Sequence, residues 1–239
     1  MMTYRGIDVS SHNGLVDWDK VKASGVDFAM IRIGWTWYEG GMNIDKNFEY
    51  NIKSAIAAGL DVGVYVYSYD KSTAAAKIAA KRVLETIKPY KLTYPVVFDI
   101  EFEAFNTGAG KGKPNTDIVI AFLDEIEKAG YYGMLYCSTS FLLQYLQKDR
   151  LTKYDLWVAD YREPTGKTCP YAGAKGMWQY TDKGKVSGCI GNVDLNVSYK
   201  NYPSIINEAG LNGLKQEVVV PKTISIDELQ KQGYEAITL

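Results

Sequence analysis

The sequence predicts an α/β fold: an irregular, TIM-like (β/α) barrel of eight strands with few helices between the last strands, plus a short C-terminal appendage. Three observations predict it. Strand patterns alternate with helical patterns through the first two thirds of the chain, and repeated strand–helix units imply a parallel sheet with right-handed crossovers. The alternation then breaks, and three strand patterns follow one another without a helix between them. No Gly-rich phosphate loop follows the first strand, which weakens the alternative of an open doubly wound sheet. The 239 residues suit one barrel, since single α/β barrels routinely reach this length.

The elements follow in order. Residues 4–9 read as a strand and 17–24 as a short helix ended by Gly25. Residues 26–34 form a nearly continuous apolar run with one Arg, the pattern of a buried parallel strand. Residues 45–58 are helical, with Phe48, Ile52, Ala55 and Ile56 on one face and Gly59 as a stop. A strand over 61–69, an Ala-rich helix over 73–87, a strand over 94–101 and a helix over 116–129 come next. A strand over 131–138 and a short helix over 141–147 close the regular part. Strands over 156–161, 177–181 and 192–196 then complete the eight, and a helix is expected over 202–209.

These elements make a barrel domain over 1–210 and an extension over 211–239. Within the extension, 218–221 reads as a connector, 225–232 as a capped helix and 234–239 as a strand. A piece this short does not fold alone. It is expected to be a remnant of a binding module, an arm packed on the barrel, or an element through which copies of the chain associate.

Composition narrows the classes of function. A net charge of −1 gives no ground for non-specific binding to nucleic acid or an anionic membrane. No run approaches transmembrane length, so membrane insertion is not expected. The single histidine, His12, cannot build a multi-histidine metal site or a Ser-His-Asp triad, and no metal or cofactor is expected. Cys137, Cys169 and Cys189 lack C-x-x-C spacing and read as buried free thiols, with a Cys169–Cys189 pairing left open. The 19 Tyr and 5 Trp against 7 Phe supply rings with polar edges, which suit a carbohydrate cleft as well as a core.

Barrel enzymes carry their chemistry at the C-terminal ends of the strands. Asp8 ends the first strand, Asp99 and Glu101 the fourth and Asp160 the sixth, while Asp194 lies in the last. Asp99 and Glu101 stand two apart, about 6–7 Å along a strand, so their side chains share a face. Two inward carboxylates repel when both are ionised, and no Lys or Arg stands beside them in sequence. Such a pair splits its pKa values, so that one group holds a proton while the other stays charged. Glycoside cleavage needs that division. The plainer alternative is a cation-binding pair or a solvated loop; Glu103, one alternation further on, reads as a loop residue. Tyr65, Tyr67, Tyr136, Trp157, Trp178 and the neighbouring Gln179 stand at strand ends and suit a sugar platform.

Gly6-Ile7-Asp8-Val9-Ser10, Phe98-Asp99-Ile100-Glu101, Trp178-Gln179-Tyr180 and Val193-Asp194-Leu195-Asn196 together resemble the ordered motifs of glycoside hydrolase family 25. These are N-acetylmuramidase-type lysozymes, frequent as phage endolysins. The resemblance covers about residues 4–200 and implies hydrolysis of the β-1,4 bond between N-acetylmuramic acid and N-acetylglucosamine in bacterial peptidoglycan. It implies that Glu101 is the general acid and Asp99 the carboxylate beside it. Asp8 and Asp194 are then the further acidic residues of the site, with Tyr136 and Trp178 in its aromatic lining. Asp99 either steadies the N-acetyl group of the sugar or stabilises the cation directly. The Met1–Gly6 start has no apolar stretch, so a protein made in the cytoplasm without a signal peptide, and acting on the wall after release, is expected.

Two other readings stand beside it. A chitinase-like endo-N-acetylglucosaminidase of the Asp-x-x-Asp-x-Asp-x-Glu type would need acids where this chain has Tyr94 and Val97. A catalytically silent wall-binding barrel would be expected to have lost at least one of the four acids.

Overall fold

The computed structural model describes residues 2–102, 113–173 and 176–214. The elements expected beyond 214 lie outside the described residues, and so does Glu103.

Nine strands are present among the described residues: β1 (Tyr4–Val9), β2 (Phe28–Thr36), β3 (Met42–Ile44), β4 (Asp61–Tyr67), β5 (Val96–Asp99), β6 (Gly133–Ser138), β7 (Asp155–Ala159), β8 (Met177–Gly184) and β9 (Val193–Ser198). Their order is β1-β9-β8-β7-β6-β5-β4-β2-β3, and an added β1–β2 pairing closes eight of them into a barrel. The ninth, β3, was not expected. It folds back antiparallel on the last residues of β2, Gly34 to Thr36, beyond the stretch of β2 that β1 occupies.

The helices are α1 (Trp18–Ala23), α2 (Phe48–Ala57), α3 (Thr73–Ile87), α4 (Lys113–Lys128), α5 (Thr139–Tyr145) and α6 (Tyr202–Glu208). Several begin on side-chain caps, as the sequence requires. The Asp17 carboxylate accepts from the N–H of Lys20 at 3.2 Å, Ser72 Oγ from Ala75 at 3.1 Å, and Ser138 Oγ from Phe141 at 3.1 Å. Among the described residues no helix stands between β7 and β8 or between β8 and β9.

The expected all-parallel sheet needs one correction. From β1 round to β8 the barrel strands run parallel, but β9 is antiparallel to both of its neighbours, β8 and β1. The reason is the missing helix. A parallel return needs a crossover of a dozen or more residues, whereas a short loop returns the chain antiparallel. The stretch 185–192 is such a loop, with Gly188 and Gly191 at φ of +98° and +82°.

Alternation along the strands sorts the core into two layers. Ile7, Ile31, Val64, Phe98, Leu135 and Val158 face outward and pack beneath the helices. Phe28, Met30, Val97, Met134, Trp157 and Met177 fill the barrel interior. Phe28 stacks on Tyr94 with ring centroids 4.3 Å apart. That stack depends on Gly6, because a Cβ there would lie 2.2 Å from the Phe28 ring.

The barrel unit extends beyond residue 210. Leu211 and Leu214 pack against the inner cluster. Buried Asn212 donates from Nδ2 to the carbonyls of Leu92 (2.9 Å) and Tyr94 (3.0 Å) and accepts from the N–H of Tyr132 at 2.8 Å. The cysteines are all free; Cys137 is buried, but Cys169 and Cys189 are only partly so and do not pair.

Candidate active site

The inward-facing parity carries Asp8, Tyr65, Asp99, Tyr136, Gln179 and Asp194 to one mouth of the barrel. Register places them side by side: Tyr67 pairs with Asp99, Asp99 with Tyr136, and Tyr136 with Trp157. Across the antiparallel seam, Asp8 stands directly opposite Asp194. This follows from the reversal of β9. Asp194 is near the start of its strand, and only a reversed strand has its start at the C-terminal end of the others.

A polar network fixes Asp8. Its Oδ2 accepts from Asn196 Nδ2 at 2.8 Å and from Gln179 Nε2 at 2.9 Å. Both amides are themselves oriented by aromatic donors. Trp157 Nε1 donates to Asn196 Oδ1 at 2.8 Å, and the hydroxyls of Tyr136 and Tyr161 donate to Gln179 Oε1 at 2.8 and 2.6 Å. Every polar atom of the two amides thus has its place, so neither can flip without loss.

Charge is crowded here. Burial pushes Asp8 above the usual carboxylate range, while the amide donors and a hydrogen bond with Asp194 pull it back. Burial first, then the Asp8 charge, pushes Asp194 up to about 8. The pair therefore shares one proton, borne by Asp194 at neutral pH. Asp99 is driven well above its usual range by burial and then by the negative charges of Glu101 and Asp8. The positive charge of Arg32 opposes this, which the sequence did not reveal. Arg32 reaches the site from β2, held by Asp45 Oδ2 at 2.7 Å from Nη2 and 2.9 Å from Nε, and by Ser11 Oγ at 3.3 Å.

Two grooves open from the mouth. One, of about 780 Å³, is lined by Glu101, Tyr136, Ser138, Thr139, Arg162 and Tyr171 among others. The other, of about 370 Å³, is lined by Ser11, His12, Arg32, Trp35, Tyr67 and Tyr69.

Some expected residues sit elsewhere. Trp178 has the outward parity; it is fully buried in the outer layer and donates from Nε1 to the carbonyl of Asp160 at 2.9 Å. It does not line the cleft. Trp157 is 1% exposed and forms the floor beneath Tyr65 and Tyr136, with ring centroids at 6.0 and 4.6 Å. It supports the platform without presenting a face to a ligand. Gln179 is likewise buried, with its amide committed to Asp8 and the two tyrosines.

Asp160 lines the larger groove but is committed to Arg162 and Thr139. Hydrogen bonds from Arg162 hold it below the usual carboxylate range. Arg32, Tyr161 and Asn196 are the participants that the sequence reading missed. Asn196 stood in a quoted motif, and its two-residue spacing from Asp194 was the available signal.

Residues 7–189 match the family described as glycosyl hydrolases family 25. The chain belongs to this family. It is 30% identical to the modular autolysin LytC of Streptococcus pneumoniae, with a TM-score of 0.71 over 82% of this chain and 47% of that one. The present chain thus spans about half the length of LytC. A family 25 glycosyl hydrolase from Bacillus anthracis is 25% identical, with a TM-score of 0.71 and coverage of 85% and 92%. An autolytic lysozyme of Clostridium acetobutylicum is 28% identical over 80% of this chain and 55% of that protein. The irregular barrel and the glycoside hydrolase class expected from the motifs are both those of family 25.

The shared proton in this family 25 site makes a prediction about stability. Asp194 has a folded pKa near 8 and an ordinary value of 3.8. A raised carboxylate contributes stability that is full below its unfolded pKa and is lost as pH rises through the folded one. Thermal unfolding of the parent chain should therefore weaken steadily between about pH 4 and 8 relative to Asp194→Asn. At pH 9 the variant should melt a few degrees above the parent. Parallel curves across that range would contradict the assignment of the proton to Asp194.

Proposed function

We propose that this chain hydrolyses the β-1,4 bond between N-acetylmuramic acid and N-acetylglucosamine in bacterial peptidoglycan, with Glu101 as the proton donor. One observation carries the reading: four carboxylates converge at the barrel mouth, one of them, Glu101, at the head of the long groove. The lysozyme name of the Clostridium relative and the LytC complex with a synthetic peptidoglycan ligand support the choice of substrate.

Burial favours the protonated form of Asp99, which is hydrogen-bonded to Glu101. A sugar laid over Glu101 strips water from that more exposed carboxyl and raises its proton affinity in turn. The proton then passes to Glu101 and on to the leaving oxygen as the glycosidic bond breaks, Asp99 is left as the anion facing the oxocarbenium-like carbon, and water adds to that carbon while its proton returns to the carboxylate pair. The Asp8–Asp194 pair, carrying a single charge, frames the opposite side.

The test is mass analysis of fragments released from purified peptidoglycan. New reducing ends on muramic acid are expected. Reducing ends on glucosamine, or peptide fragments alone, would overturn the proposal.

A further inference from the structure

The long groove holds a second feature that the hydrolytic reading does not use. Besides Glu101 it is lined by Ser138, Thr139, Ser140, Arg162, Pro170 and Tyr171. Arg162 is the one cation among the described residues that line it. Its guanidinium is fixed from behind. Nε donates to Asp160 Oδ1 at 2.8 Å and Nη2 to Asp160 Oδ2 at 2.5 Å. Asp160 is in turn buried and bound by Thr139 Oγ1 at 2.9 Å. The Arg162 side chain is nevertheless 66% exposed. A planar fork held along one edge leaves Nη1 and the outer edge free to take a carboxylate, with little further ordering to be lost.

The placement matters because the head of the same groove is acidic. Glu101, whose negative charge raises Asp99, lines the groove itself, and it repels any anion carried by a ligand. In peptidoglycan the sugars themselves are neutral, and negative charge resides on carboxylates of the peptide stem attached to the lactyl arm of muramic acid. Such a stem must be led away from the four acids. We propose that the groove beyond Glu101 receives the peptide stem of the substrate, and that Arg162 binds a stem carboxylate and so favours peptide-bearing glycan. The hydroxyls of Ser138 and Ser140, 3.0 Å apart, offer polar partners to a peptide backbone on the way.

This proposal rests on the peptidoglycan reading above, and its test separates the two. Soluble, uncross-linked glycan chains are compared with the same chains stripped of peptide by an amidase. Binding is measured by calorimetry on Glu101→Gln protein, so that the chains persist, with and without the added change Arg162→Ala. Arg162→Ala is expected to lower the preference for peptide-bearing over stripped chains about five- to tenfold, with Arg162→Lys in between because it keeps the charge and loses the fork. An equal loss on both chains would overturn the proposal, since it would place Arg162 on the glycan or the lactyl group. An unmoved ratio would overturn it as well. Hydrolysis by the parent chain is followed in parallel, and its absence would remove the hydrolase reading by itself.

Discussion

Glu101→Gln should lower lysis of purified cell wall by roughly 10²–10⁴-fold, the range that a lost general acid removes. Gln keeps the size and polar character of the side chain but cannot give up a proton. Glu101 is only partly buried at the head of the groove, so the change leaves no large cavity and no buried unpaired charge. Thermal unfolding should therefore stay within about 1 kcal/mol of the parent, since a single hydrogen bond to Asp99 is altered while a repelling charge is removed. The same substitution removes a negative charge that raises Asp99. Wall turbidity and unfolding are measured on the same preparation. Near-normal lysis would end the assignment of Glu101, and a large loss of stability would make the activity loss uninformative about chemistry.

Trp157→Ala should have the largest structural effect, a destabilisation of about 3–5 kcal/mol. The indole is 1% exposed at the centre of the barrel. It meets Tyr65 and Tyr136 edge to face, with centroids at 6.0 and 4.6 Å. It also donates to Asn196 Oδ1 at 2.8 Å. Truncation opens a cavity beneath both rings and leaves a buried amide oxygen without its donor, and each of these carries its own cost. For a domain of this size the loss corresponds to roughly 10 °C in melting temperature. Trp157→Phe separates the two causes, because it keeps most of the apolar contact and removes only the donor. It should cost about 1–3 kcal/mol. Denaturant midpoints report both, and a change under 1 kcal/mol for the alanine variant would show that the floor is not what holds the mouth together.

The period-2 and period-3.6 patterns fixed most elements, since they depend only on near neighbours along the chain. The barrel and its missing late helices were therefore legible, as was the inward pairing of Asp99 with Glu101. Trp178 shows the limit. Adjacent to Gln179 on one strand, it had to face the opposite way, and sequence alone did not tell which of the two faced in. The strand β3 was missed because Met42–Ile44 carries no periodic signal of its own and is a strand only because β2 offers it an edge.

For the site, the sequence by itself determined which acids stand at strand ends and that Asp99 and Glu101 share a face, because rise and side-chain alternation are local properties. Only the tertiary structure decided that Asp194 meets Asp8, since the direction of β9 depends on which strands it pairs with. It also decided which acids keep a proton. Burial and the distant charge of Arg32 set those affinities, and both come from residues far apart in the chain.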